Sequence, residues 1–370
     1  MRTKVAIACQ GGGSQTAFTA GVLKALSENG LRDKFELVGI SGTSGGALCA
    51  TLIWYAMRKN ETPIWRRLID FWQDNTAQTW SEWMINDAII GWMRQVNGGT
   101  LASFQTSPGM PLIQATAHLM MRAFRPEFVD LKALLSNHID FDEIASWGPQ
   151  PTAPVLVIGA ASVLSGRLRK FISTKETIKI EHLLASSAVP NLFPAVEVDG
   201  DALWDGLFSD NPPIDDLVRK GVLGEGNVPH ELWVIKINPT KRSKNPVLPG
   251  EIADRRHQLE GNISLFQNLK LVEMLNDLIM GDAFRPGFLE HYEYRRPVLM
   301  PKSFAEGPDK PYHIPWIEMS EAMQQTLDYE GKLDRSPYNI NHLIAHGEER
   351  ARVFLEERER CLAAVPRNMA

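Results

Sequence analysis

The chain has 370 residues and a formal net charge of −5, from 39 basic and 44 acidic side chains. That length buries at least one large core, and the small, mixed charge without a basic run excludes a nucleic-acid footprint. Its three cysteines, Cys9, Cys49 and Cys361, are too far apart for a zinc-ligand spacing or a disulfide framework, which points to a reducing, cytoplasmic setting. No stretch approaches the roughly 18 apolar residues that span a bilayer. The opening "MRTKVAIACQGGG" holds an apolar run of only five residues, Val5–Cys9. A secretion signal core needs ~7–15, so the run reads as a strand and not as a leader.

The first sixty residues read as two strand–helix units. Val5–Cys9 is a run of small and branched residues, the pattern of a strand buried on both faces. Glycines follow, and then Ala17, Ala20, Val22, Leu23 and Leu26 share one helical face before Gly30 stops the helix. Phe35–Ile40 is a second strand, followed by a helix from Gly45 to Arg58. From residue 62 to 146 the spacing is helical, with loops near Asp74–Ala77 and Asn97–Gly99; this predicts a helical insertion over one end of a sheet. Strands resume at Pro154–Ala161, and Leu168–Ser173 is expected to pair with it across the Ser165-Gly166 turn. A helix ends near Pro190, and a strand, a turn at Asp199-Gly200-Asp201 and a short strand come next. Glu231–Ile237 is the last core strand. Beyond Asn238 the chain is polar and proline-rich to Gly250, a linker or long loop. Ile263–Met280 and Asn339–Arg358 read as amphipathic helices, while Arg285–Tyr338 between them yields no assignment. Strands alternating with helices predict an α/β fold with a mainly parallel sheet.

Two glycine-rich turns lie between a strand and a helix. Gly42-Thr43-Ser44-Gly45-Gly46 fits G-x-S-x-G, in which a tight strand-to-helix turn exposes a serine oxygen above the sheet. The helix that follows adds its N-terminal dipole, favouring negative charge beside Ser44. The same residues also fit an ordinary glycine turn with a serine helix cap. The earlier turn, Gly11 to Thr16, lacks the lysine of a phosphate loop. As a dinucleotide fingerprint it offers Gly11 and Gly13 but Thr16 where a third glycine belongs, and the second strand runs into Ser44 with no ribose-binding acid at its end. As an oxyanion hole it needs only backbone N–H groups, each worth roughly 3–4 kcal/mol of barrier. A serine nucleophile and an N–H cradle on neighbouring strand ends explain each other, which puts acyl transfer ahead of the alternatives.

A serine hydroxyl needs a base. None of the nine histidines lies in a glycine-framed strand-end loop. Asp205, after a short apolar strand and before Gly206, is the other candidate; the pair also fits a plain Asp-Gly turn.

With these residues in hand, the chain resembles the patatin-like phospholipase family. The likeness lies in Gly11-Gly12-Gly13 with the following "AGVLKAL", in Gly42 to Gly46, and in Asp205-Gly206, supported by "ASSAVPNLFPAVEVDG" (Ala185 to Gly200) and "DNPP" (Asp210 to Pro213). It covers about residues 4–240. The resemblance implies a three-layer fold with a mainly parallel central sheet. A catalytic domain over residues 1–240 would carry the insertion at about 62–146, and residues 241–370 would form a mainly helical extension. It implies Ser44 as nucleophile, Asp205 as base without histidine, and Gly11, Gly12, Gly13, Ser14 and Gly45 around the oxyanion. Gly42, Gly46 and Gly206 would be supporting residues. Substrates would be acyl esters of phospholipids, lysophospholipids or glycerides, with no cofactor and no metal. One departure stands out. The family usually has a basic residue two positions after the glycine triplet and then another glycine, where this chain has Gln15 and Thr16. That bears on rate and substrate more than on reaction class.

Six of the ten tryptophans fall between Trp54 and Trp92. They read either as core packing or as an apolar face guarding an acyl channel and touching a membrane peripherally. The alternative function is a catalytically weak member of the same fold that binds lipid or a protein partner, with Gln15 as the sign of decay. A dinucleotide enzyme is a more distant third reading.

Overall fold

The computed structural model describes residues 2–102, 107–190, 192–293 and 314–364. The first unit is strand β1 (Thr3–Cys9), helix α1 (Ala17–Glu28), strand β2 (Phe35–Thr43) and helix α2 (Gly45–Arg58). The insertion is helical throughout its described residues: α3 (Arg66–Asp74), α4 (Trp80–Asn97), α5 (Pro111–Ala123), α6 (Pro126–Val129), α7 (Leu131–His138) and α8 (Phe141–Trp147). Helix α4 starts at a reciprocal cap, with Thr79 Oγ1 accepting from the Glu82 N–H at 3.3 Å and Glu82 Oε2 accepting from the Thr79 N–H at 3.1 Å. Then come β3 (Val155–Ser162), β4 (Leu168–Ile172), α9 (Ile180–Ser186), β5 (Val196–Val198), β6 (Asp201–Asp205), α10 (Lys220–Leu223) and β7 (Glu231–Lys236). The remainder is α11 (Pro249–Met280), α12 (Pro286–Tyr292), β8 (Trp316–Glu318), α13 (Glu321–Thr326) and α14 (Pro337–Ala364).

The eight strands of the described residues form one sheet in the order β5-β6-β3-β2-β1-β7-β8, with β4 pairing β3. The pairs from β3 through β8 along this path are parallel, and β4, β5 and β6 add antiparallel pairs. Period-two alternation sorts the core into two layers. Val5, Ile7 and Cys9 of β1 point into the larger cluster with α1, α2 and α14, whereas Ala6 and Ala8 point to the other face with Leu265, Leu269 and Val272 of α11. The molecule is thus a three-layer α/β fold.

The described residues beyond 240 are mainly helical, and they also add a strand the sequence did not reveal. Strand β8 extends the sheet beside β7, and Ile340, Leu343 and Ile344 of α14 join the same core as β1. Helices α1 and α14 approach so closely that a Cβ on Gly21 would lie 1.9 Å from the Ile344 carbonyl oxygen, and one on Gly347 would lie 2.1 Å from that of Phe18. At the far end of α14, buried Arg358 donates to both oxygens of buried Glu231, at 2.9 and 2.5 Å, and the Trp233 indole N–H adds a third bond at 2.8 Å. Replacing Arg358 by methionine strands that carboxylate, and we expect a loss of about 3 kcal/mol, read as a lower urea midpoint with the same slope.

Candidate active site

The pairing of β3 explains why distant residues meet. Thr43 at the end of β2 pairs with Gly159, and Asp205 at the end of β6 pairs with Ala160. Gly159 also pairs with β4, as does Ala160. A strand has only two edges, so β2 and β6 share the edge opposite β4. They approach head-on along it, one ending at Thr43 and the other at Asp205. Ser44 follows Thr43 directly, and the Ser44 and Asp205 side chains are brought to one point.

The elbow itself is built from close approaches. Ser44 holds φ 53° and ψ −133°, a conformation that costs a non-glycine residue of order 1–3 kcal/mol and persists only when its surroundings enforce it. The enforcement is visible. The Ser44 N–H donates to Ser186 Oγ at 3.0 Å, and Ser186 Oγ donates to the Gly159 carbonyl at 2.7 Å, tying the turn to β3. Thr43 Oγ1 donates to the Asp210 carbonyl at 2.6 Å. A Cβ at Gly42 would lie 2.4 Å from the Gly46 carbonyl oxygen, and one at Gly46 would lie 2.3 Å from that of Cys9. Gly46→Ala is therefore expected to cost at least about 2 kcal/mol, seen as a drop in melting temperature, because only backbone could move aside.

Asp205 is 1 % exposed. Its Oδ1 accepts from the Leu207 N–H at 2.8 Å, capping the short turn Gly206–Phe208, and its own N–H donates to the Ala188 carbonyl at 3.0 Å. Its Oδ2 is buried without a partner within hydrogen-bond distance among the described residues. Burial raises the carboxyl pKa to about 7, against lowering by the Ser44 hydroxyl and the Leu207 N–H. Desolvation outweighs both hydrogen bonds. The Ser44 hydroxyl lies near enough to be felt by the carboxylate, while Oδ2 keeps an open lone pair; catalytic contacts are often loose before substrate binds. Gly206 permits this packing, since a Cβ there would lie 2.5 Å from the Gly159 carbonyl oxygen.

The glycine loop lies against the elbow: a Cβ at Gly11 would touch Ser44 Cβ at 2.9 Å, and one at Gly45 would lie 3.0 Å from the Gly13 carbonyl oxygen. One expectation needs correcting. The Gly11 N–H is not free for an oxyanion, because it donates to Asn211 Oδ1 at 2.7 Å; Gly11 places the loop instead. The N–H groups of Gly12, Gly13, Ser14 and Gly45 take no hydrogen bond among the described residues. Below the loop, Gln10 Oε1 accepts from the Ile237 and Asn238 N–H groups, both at 2.8 Å, and its Nε2 donates to the Gly261 carbonyl and to Asn262 Oδ1, both at 3.0 Å.

Sequence reasoning missed Ser186, Asn211 and Gln10, all 0 % exposed. The only signals for the first two were that they lie inside "ASSAVP" and "DNPP". Among the histidines, His182 stacks on Phe171 at 3.9 Å with its pKa brought down to about 3 by burial, and His313 lies outside the described residues. No cluster suited to a metal ion occurs among the described residues, and no described helix is long and apolar enough to cross a membrane. The tryptophans divide. Trp54 and Trp72 are buried, Trp65 packs against the core, and Trp80, Trp83 and Trp92 are exposed on α4. A charged open cavity of about 710 Å³, lined by residues that include Glu61, Arg67, Asp74 and His138, shares none of the dyad's residues.

Comparison with known proteins agrees with the motifs. A search of curated proteins returned no match. Among solved structures, VipD from Legionella pneumophila aligns over 97% of this chain and 67% of its own, with 11% identity and a TM-score of 0.42. ExoU, in its heterodimer with SpcU from Pseudomonas aeruginosa, aligns over 73% of this chain and 51% of its own, with 17% identity and a TM-score of 0.25. The sequence model for patatin-like phospholipase matches residues 7–218, more than half of the 370 and a span holding the glycine loop, Ser44 and Asp205. The chain belongs to the patatin-like phospholipase family.

Proposed function

We propose that the chain hydrolyses acyl esters of lipids through Ser44 and Asp205. The observation that carries this reading is the buried Asp205 carboxylate, with one open lone pair and a pKa near 7, at the strand end where the strained Ser44 turn sits. As Ser44 Oγ attacks the ester carbonyl carbon, its proton passes to Asp205 Oδ2. Negative charge gathers on the carbonyl oxygen, where the free N–H groups of Gly12, Gly13, Ser14 and Gly45 are available to receive it. Collapse breaks the ester bond, and Asp205 returns the proton to the leaving alcohol. Water then gives a proton to Asp205 while attacking the acyl-enzyme, and Ser44 leaves with that proton restored. A base with a pKa near working pH suits both half-reactions.

Family membership and the exposed indoles of Trp80, Trp83 and Trp92 on α4 support lipid as the source of the acyl group, met by peripheral contact. In the same reading, residues 1–240 carry the chemistry and residues 241–370 support it. Covalent labelling by a fluorophosphonate, located at Ser44 by peptide mass, tests the proposal together with hydrolysis of short-chain p-nitrophenyl esters. A chain that takes no label at any pH would be a lipid- or protein-binding relative instead.

A further inference from the structure

The glycine loop carries no cation of its own. Gln15 is buried, its Nε2 donates away to the Asp328 carbonyl at 3.1 Å, and its Oε1 has no partner among the described residues. The segment it reaches folds back onto the loop. A Cβ added at Gly13 would lie 2.3 Å from the Lys332 carbonyl oxygen and 3.3 Å from Lys332 Cβ. The Lys332 ammonium donates to Asn238 Oδ1 at 3.2 Å, and Asn238 Nδ2 reaches the Gly11 carbonyl at 3.5 Å. An ammonium has three donors, and Asn238 is the one hydrogen-bond partner of the Lys332 ammonium among the described residues. The contrast with two other enclosed lysines is plain. Lys170 sits on Asp210, Asp215 and Asp216, and Lys236 sits on Glu318. Lys332 faces no carboxylate among the described residues, and its charged neighbour Arg242 repels it. A desolvated cation without a counter-charge is costly to keep unless an anion arrives to meet it.

We propose that Lys332 is a positioning residue of the oxyanion site: the C-terminal segment delivers its charge to the glycine loop, and that charge is balanced when the substrate's carbonyl oxygen becomes negative. The inference rests on the Ser44–Asp205 reading and adds to it the cation that the loop lacks. Preorganised charge that is unmatched in the ground state and matched in the transition state accelerates the chemical step rather than binding.

Burial and Arg242 bring the Lys332 pKa down to about 8, so the active, protonated form is lost as pH rises through that value. The other groups around it are Arg242, His257 on α11, Tyr329 with its ring centre 6.0 Å from Nζ, and Glu330, whose carboxylate is taken by Asn97. His257 is displaced below its usual range by burial and then by Lys332, and Tyr329 is displaced above its own by burial. An alkaline limb near 8 would therefore report Lys332.

The test uses the full chain, with hydrolysis of p-nitrophenyl butyrate and of lysophosphatidylcholine followed from pH about 6 to about 10. Wild type, Lys332→Met and Lys332→Arg are compared, each checked by thermal melting and fluorophosphonate labelling. Lys332→Met should lower kcat roughly 10- to 100-fold on both esters, with KM little changed and the alkaline limb gone. Lys332→Arg should stay within a few-fold of wild type and carry the limb to higher pH. If the methionine variant does not fold, the position of the limb in the arginine variant decides. An unchanged kcat and limb would overturn the proposal, and a loss confined to the phosphate-bearing ester would overturn it in favour of a head-group contact. A wild type that fails to label would remove the Ser44–Asp205 reading itself; labelling with no effect at Lys332 would remove only this inference.

Discussion

Ser44→Ala is expected to lower ester turnover by at least about 10⁴-fold, abolish fluorophosphonate labelling and leave the melting temperature nearly unchanged. The two readouts separate because the turn is held by backbone. The Ser44 N–H reaches Ser186 and the Ser44 carbonyl accepts from the Ala47 and Leu48 N–H groups, and alanine keeps all three bonds. Alanine also tolerates φ 53° no better and no worse than serine, so the strain stays in place. What disappears is the oxygen proposed to attack. Turnover that survived this change would place the nucleophile elsewhere.

Asp205→Asn is expected to lower kcat about 10²–10⁴-fold and, at the same time, to stabilise the protein at alkaline pH. The carboxyl pKa rises from an ordinary 3.8 to about 7 because burial disfavours its charge. A group with a raised folded pKa stabilises the fold fully below its unfolded pKa and loses that contribution as pH climbs through the folded one. Wild type should therefore weaken between pH about 4 and about 7 by up to roughly 4 kcal/mol, taking each pKa unit as 1.36 kcal/mol. The asparagine keeps an oxygen for the Leu207 N–H and never charges, so its melting curve should lie with wild type near pH 4 and above it beyond pH 7. Wild-type turnover should climb through pH about 7 as the base loses its proton. Coincident melting curves at pH 8, or a rate indifferent to pH near neutrality, would mean that this carboxylate is not the buried base.

Much of this was legible because the apolar strands advertise themselves. Val5–Cys9, Phe35–Ile40 and Glu231–Ile237 are short runs that suit strands buried on both faces, and the glycine turns after the first two pointed to the candidate site. The first half of α11 was invisible for a physical reason. The helix starts at Pro249, well before the apolar spacing begins at Ile263, and its inward side is polar: Asp254, Gln258 and Asn262 are buried at four-residue intervals. They are held by Arg242, by one another and by Gln10. A search for apolar periodicity cannot find a helix whose buried stripe is amides and a carboxylate. Strand β8 was missed because three residues at a sheet edge leave no pattern. The capture of the Gly11 N–H by Asn211 joins residues 200 apart, and the burial that sets the Asp205 pKa is a property of the packed fold; local patterns encode neither.

The close seam between α1 and α14 also sets a timetable for synthesis. Gly21 is made early and the Ile344 carbonyl it rests against is made more than 300 residues later. At about 5–20 residues per second, the apolar flank of α1 waits for roughly a quarter of a minute to a minute on the ribosome without its cover. A nascent chain truncated before Pro337 should accordingly hold chaperones and resist release into a stable fold, and the activity proposed above would wait until α14 has left the exit tunnel.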